Sequence, residues 1–222
     1  GRWCSPALGN VRPDQFIPLA EETNLIIPLG EWITEQAFRD FMLFRKQGCP
    51  VNKVSINVSG VQLLQSDFIE MIRRACSTTD IMPEQIELEI TESCIATDEK
   101  KVLQTLQRLR AMNFDLAIDD FGTGYSSMSY LQQLPVTRLK IDKSFIDHLP
   151  DSKENIAIIQ AIIALANAFH LHITAEGVET EEQLNFLQKI GCDEVQGYFY
   201  AKPLSGEKFL SFSSTFTATT RS

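Results

Sequence analysis

The chain alternates stretches of helical periodicity with short β-branched runs, the pattern of an α/β protein built on a parallel sheet. Residues 30–46 place Trp32, Ile33, Phe38, Phe41, Met42 and Phe44 at helical spacing, and Gly48 ends the helix. Six strands are predicted, over 53–58, 86–90, 114–118, 138–141, 172–175 and 194–198, each followed by helical sequence. Helices are predicted over 67–78, over 98–112 with Asp98 as cap, from Ser152 or Glu154 to Phe169, and onward from Thr180. A Gly-rich loop with a short helix separates the third strand from the fourth. The segment from Ser211 is rich in Ser and Thr and is expected to fray, which divides the chain into a domain over 1–212 and a flexible tail over 213–222.

A closed (β/α)8 barrel needs eight strands, in roughly 250 residues. Six strands therefore imply either a barrel with about two further strands upstream of Gly1, or an open doubly wound sheet. The polar residues separate these readings. In a barrel of parallel strands, chemistry gathers at the C-terminal ends and comes from several strands at once. Here the strands end in Asn57, in Glu89 with Glu92 beyond it, in Asp119-Asp120, in Lys140 and Asp142, in Glu176 and in Gln196. One such residue is ordinary; a whole succession of them favours the barrel, with a site at its mouth.

The residue types define the chemistry. Asn57, Glu89, Asp119 and Asp120 offer oxygen ligands, which hard ions such as Mg²⁺ and Mn²⁺ take in near-octahedral geometry. Adjacent aspartates point apart on an ideal strand, but where the backbone turns both can reach one pair of ions. Converging carboxylates repel one another without cations. Two ions about 3.5–4 Å apart suit in-line attack on a phosphodiester. Taken singly, Asn57 could serve only the backbone at a strand end, and Asp119-Asp120 could be a turn and cap. Lys140, between Leu139 and Ile141, needs a partner if it is interior. Gly122 and Gly124 could cradle phosphate or give a mobile loop over the site. His148, His170 and His172 show no ligand spacing.

Charge narrows the partners. With 29 acids against 20 bases the net charge is −9, which argues against binding DNA or RNA polymers. Five scattered cysteines show no C-x-x-C spacing and point to a reducing cytoplasm. The most apolar stretch, 156–169, is broken by Gln160 and Asn167 and is too short to span a bilayer. A membrane-anchored parent protein is compatible with all of this.

Six strand-end motifs, S-I-N-V-S at 55–59, E-L-E-I-T-E-S at 87–93, D-D-F-G-T-G-Y-S-S at 119–127, L-K-I-D at 139–142, A-E-G-V-E-T at 175–180 and Q-G-Y at 196–198, together resemble the EAL family. P-D-Q-F-I-P-L-A-E at 13–21 and K-P-L at 202–204 extend the likeness over nearly the whole chain. The resemblance implies a modified (β/α)8 barrel with one antiparallel N-terminal strand. It implies hydrolysis of cyclic di-GMP to linear pGpG with a pair of Mg²⁺ or Mn²⁺ ions, a homodimer formed near the 119–133 loop, and further regulatory domains. Carried onto this chain, Asn57, Glu89 and Asp119 would bind one metal, and Asp119 and Asp120 the second. Glu176 would be the general base, with Lys140 positioning and polarising the water. Glu92 would hold the 119–127 loop and Glu179 would support the site from behind. Arg2 and Gln196 would contact substrate, with Gln62 a weaker candidate.

The family's namesake Glu-Ala-Leu tripeptide, whose Glu is a metal ligand, would lie just before Arg2-Trp3, and the chain begins at Gly1. The expectation is a chain truncated relative to a competent domain, which alone would bind metal poorly and turn over slowly or not at all. The alternative is a nonenzymatic receptor that binds cyclic di-GMP and signals to a protein partner. A Mg²⁺-dependent barrel acting on carbon acids also fits carboxylates beside a strand-end lysine.

Overall fold

A computed structural model describes residues 3–7, 9–96, 98–124 and 131–219. The chain opens with a hairpin, β1 (Trp3–Ser5) and β2 (Gly9–Val11), paired antiparallel with Trp3 opposite Val11. This hairpin is not among the predicted strands. Each arm has three residues and a largely exposed side-chain pattern, too little for alternation to show. Two helices follow, α1 (Pro13–Glu22) and α2 (Ile26–Lys46). Helix α2 begins four residues before the predicted start because Pro28 falls in its first turn, where the missing N–H costs nothing.

The remaining strands form one parallel sheet in chain order: β3 (Val54–Asn57), β4 (Ile86–Thr91), β5 (Asp115–Phe121), β6 (Arg138–Ile141), β7 (His172–Glu176) and β8 (Glu194–Gln196). Between them run α3 (Gly60–Leu63), α4 (Phe68–Thr79), α5 (Glu92–Ala96), α6 (Glu99–Ala111), α7 (Lys143–Ile146), α8 (Lys153–Ala168) and α9 (Glu181–Lys189). The caps follow the sequence: Asp98, Ser152 and Thr180 each accept a backbone N–H at their helix start.

One face of each strand is apolar and packs under the helices. Leu88, Ile90, Leu116, Ile118, Leu139 and Ile141 are buried there against helix residues such as Ile72, Leu106, Leu109, Ile159 and Leu187. Each such side chain contributes about 1.5–3 kcal/mol of burial. The sheet curls into a half-barrel. Side chains on β6 reach carboxylates on β4 and β8, each two strands away, where a flat sheet would hold the backbones about 10 Å apart.

Residues after Ser211 continue a helix, α10 (Gly206–Thr219). Ser211, Ser213, Ser214 and Thr215 hydroxyls donate to carbonyls three or four residues back. Phe209 packs against Phe44 in a tilted pair with ring centroids 5.2 Å apart, and Cys49 Sγ donates to Ser213 Oγ at 3.1 Å. Packing against α2 thus overrides the poor helix propensity of Ser and Thr. Among the described residues, no helix is long and apolar enough to cross a membrane.

Candidate active site

The inner face of the sheet is largely polar. Alternation along each strand directs Ser55 and Asn57, Glu87 and Glu89, Arg138 and Lys140, Thr174 and Glu176, and Glu194 and Gln196 inward, with Ala117 and Asp119 from β5. These residues form two layers, an upper one at the C-terminal strand ends and a lower one beneath it.

The adjacent aspartates converge through a β-bulge. Ile118 pairs with Leu139, then the register shifts so that Phe121 pairs with Ile141, leaving one extra residue on β5. Asp120 takes φ +52, a left-handed conformation that aspartate tolerates. The turn brings carboxylate oxygens of Asp119, Asp120 and Glu176 within 4.8 Å of one another, a group that could hold a metal ion.

Lys140 stands at the centre of the upper layer. Its Nζ lies 2.9 Å from Glu89 Oε1, 2.9 Å from Asp119 Oδ1 and 2.6 Å from Glu176 Oε1. Lys140, Glu89 and Asp119 are 4%, 7% and 8% exposed, so these charges meet in a poorly solvated space. Burial pulls the Lys140 ammonium down, but the carboxylates outweigh it and hold its pKa above the usual lysine value. Burial pushes Glu89 and Glu176 above the ordinary carboxylate range, with Lys140 opposing the rise. Asp120 is pushed up to about 6 by burial, then by the charges of Asp119, Asp142 and Glu176. Asp119 Oδ1 touches the ammonium but is not aligned for a hydrogen bond; it is a buried oxygen with no hydrogen-bond donor. The donor set, all hard oxygens carrying excess negative charge, therefore fits a divalent cation.

The lower layer is closed. Arg138 Nε donates to Glu87 Oε2 at 2.9 Å, and Nη1 to Thr174 Oγ1 and Glu194 Oε2 at 2.7 Å each. Arg138 Nη2 reaches Glu194 Oε1 at 3.1 Å, and Ser55 Oγ donates to Glu87 Oε1 at 3.0 Å. Sequence reading missed this layer, although the signal was present: each of its residues precedes an upper-layer residue by two positions.

The other candidates divide. Asn57 is the register partner of Glu89, and Gln196 of Glu176, so both sit at the rim of the cluster, on the outermost strands. Glu92 Oε1 accepts the Gly122 N–H at 2.7 Å, a direct tie to the loop after β5. Asp142 caps α7 by accepting the Ser144 N–H at 3.0 Å. Glu179 Oε1 lies 2.7 Å from Lys143 Nζ, a partner that sequence reading did not single out. Gln62 is not brought to the cluster. It forms a capping box with Ser59, and its amide fills the space where a Cβ on Gly30 would stand, so it packs α3 against α2. Arg2 lies outside the described residues, as do 125–130 of the loop after β5.

A family model described as EAL domain matches residues 1–203. The chain is similar to the bifunctional diguanylate cyclase/cyclic di-GMP phosphodiesterase MucR of Pseudomonas aeruginosa, 40% identical over 210 residues, covering 95% of this chain and 31% of that protein. It is equally similar to the cyclic di-GMP phosphodiesterase NbdA of the same organism, 40% identical over 203 residues, covering 91% of this chain and 26% of that one. The chain thus spans less than a third of the length of these relatives. A solved structure of the P. aeruginosa MucR phosphodiesterase in complex with c-di-GMP superposes with a TM-score of 0.88 and 40% identity, over 94% of this chain and 84% of that one. The curled parallel sheet is the half-barrel of those modified TIM-barrel structures.

Proposed function

The chain belongs to the EAL domain family, and from that premise we propose that it is a metal-dependent phosphodiesterase that hydrolyses cyclic di-GMP to linear pGpG. The observation that carries this reading is Asp119 Oδ1, a buried oxygen without a hydrogen-bond donor, in a cluster of four acids set against one ammonium. Asp119 and Asp120, with Glu89 and the Asn57 amide oxygen, would hold Mg²⁺ or Mn²⁺. When bound, such ions supply positive charge to the phosphodiester and make the attacking water more acidic.

The chain's own residues do the rest. Glu176 borders the ion site, and its burial keeps it basic enough to take a proton from the attacking water. Lys140 stays charged, fixes the Glu176 carboxylate at 2.6 Å and adds a positive field where the water and phosphate meet. Gln196, and Arg2 at the chain start, would bind the nucleotide. Glu92 restrains the loop that follows the aspartates through Gly122. A −9 chain can accept a dianion because bound cations, not its surface charge, would attract it. Homodimerisation near the 119–133 loop, and further regulatory domains, belong to the same reading.

Chromatography of cyclic di-GMP incubated with Mg²⁺ and the intact protein tests the proposal. Conversion to pGpG that Glu176→Ala abolishes is the expected result. Intact nucleotide despite measurable binding would remove the phosphodiesterase and leave a receptor.

A further inference from the structure

The turn that follows the proposed base is held by a short helix from the neighbouring strand. Gly177 takes φ +73, and a Cβ there would collide with the Lys143 stem, standing 2.7 Å from both Lys143 Cβ and Lys143 Cδ. The methylenes of Lys143 therefore lie directly on the bare backbone next to Glu176. Beyond that contact, Lys143 Nζ pairs with Glu179 Oε1 at 2.7 Å and with Asp147 Oδ1 at 2.8 Å. A second tie runs the same way. Gln183 Oε1 accepts the N–H groups of Glu179 and Thr180 at 2.8 and 3.1 Å, while its Nε2 donates to Ile146 O at 3.0 Å.

Helix α7 also touches the loop after β5. Gly122 has φ +98, and a Cβ added there would lie 2.9 Å from the Phe145 ring. One helical turn thus braces the loop that follows Asp119-Asp120 with one side chain, and the turn that follows Glu176 with another. Asn155 Nδ2 anchors α7 from α8 through Phe145 O at 3.0 Å.

We infer that Lys143 is a positioning residue that fixes Glu176 through Gly177 and Glu179. Its ion pairs are about half exposed and add little to stability. Their effect is geometric: displacing a catalytic group by about 1 Å can cost on the order of a hundredfold in rate. This inference rests on the phosphodiesterase reading for its consequence in turnover, but the brace itself is independent of it.

The test compares wild type, Lys143→Ala and Lys143→Arg in the intact protein, by turnover of cyclic di-GMP and by amide hydrogen exchange. Lys143→Ala is expected to lower kcat about 10- to 100-fold with KM changed less than about twofold. Amide exchange over 177–180 should quicken by about tenfold, and Lys143→Arg, which keeps both stem and charge, should recover most of both losses. An unchanged kcat, or unchanged exchange over 177–180, overturns the inference, as does a rise in KM alone. If wild type itself leaves cyclic di-GMP intact, the phosphodiesterase reading fails, and the exchange comparison alone decides whether Lys143 braces the turn.

Discussion

Two layers of charge lie one above the other inside the half-barrel, each built around a single buried cation, and they end in opposite states. In the lower layer the planar Arg138 guanidinium meets Glu87 on one side and Glu194 on the other, and every polar group named there has a hydrogen-bond partner. In the upper layer the compact Lys140 ammonium faces Glu89, Asp119 and Glu176, with Asp120 close behind, and one Asp119 oxygen is left without a donor. Guanidinium presents five donors in a fixed fork and can close a network; ammonium is a point charge that cannot satisfy four acids. The charges of the lower layer are therefore matched within the protein, whereas the upper layer keeps a surplus of acids that could hold a cation. A buried cation among carboxylates is not in itself a site. What marks the site is the surplus.

The comparison is broken first by neutralising an acid in each layer. Glu176→Gln is expected to cost on the order of 10²–10⁴-fold in turnover, the usual worth of a general base. The metal-free protein should keep its stability or gain some, because the change relieves a surplus of negative charge while Lys140 retains Glu89 and Asp119. A clear loss of stability in urea titration would mean that the upper layer is as closed as the lower. The lower layer is struck by Arg138→Met, which strands the buried Glu87 carboxylate. The expected loss is about 3–5 kcal/mol in unfolding free energy. A loss below about 1 kcal/mol would show that Arg138 holds nothing together.

How much of this was legible in the sequence follows the same division. The strand order, the outward apolar face and the acids at strand ends could be read because a period of two and a turn after each strand leave local marks. The lower layer left the same mark, in Glu87 before Glu89 and Arg138 before Lys140, but drew no attention because it lies away from the strand ends. Partners were not legible. Lys140 meets Glu89 across the intervening β5 only because the sheet curls, and no single strand encodes curvature. The convergence of Asp119 and Asp120 depends on a one-residue register shift, a property of the β5–β6 pair. The packing of Gln62 was not legible for a related reason: its neighbour Gly30 lies on another helix.

Metal sharpens the contrast further. Mg²⁺ at about 100 times its Kd should raise unfolding free energy by about 2.7 kcal/mol. Asp119→Asn should abolish that gain, since it removes the charge of a buried oxygen that has no hydrogen-bond donor while keeping its volume. Arg138→Met should leave the Mg²⁺ increment intact on a lower baseline, because Arg138 bonds only within the lower layer among the described residues. Calorimetric scans with and without the ion give both increments, and their equality in Asp119→Asn and wild type would remove the ion from the upper layer.

The smallest effect tests whether the lower layer is one unit. Ser55 and Glu87 are register partners on β3 and β4, and the Ser55 hydroxyl donates to the Glu87 oxygen that Arg138 does not use. Ser55→Ala should cost about 1 kcal/mol, the net worth of such a bond. Combined with Arg138→Met the two losses should not add, because Ser55 and Arg138 hold the two oxygens of one carboxylate and the guanidinium fixes where the hydroxyl meets it. A double-mutant cycle with a coupling above about 0.5 kcal/mol is the expected outcome. Strict additivity would mean that Ser55 and Arg138 act on Glu87 separately, and that the lower layer is a set of pairs with no more internal closure than the cluster above it.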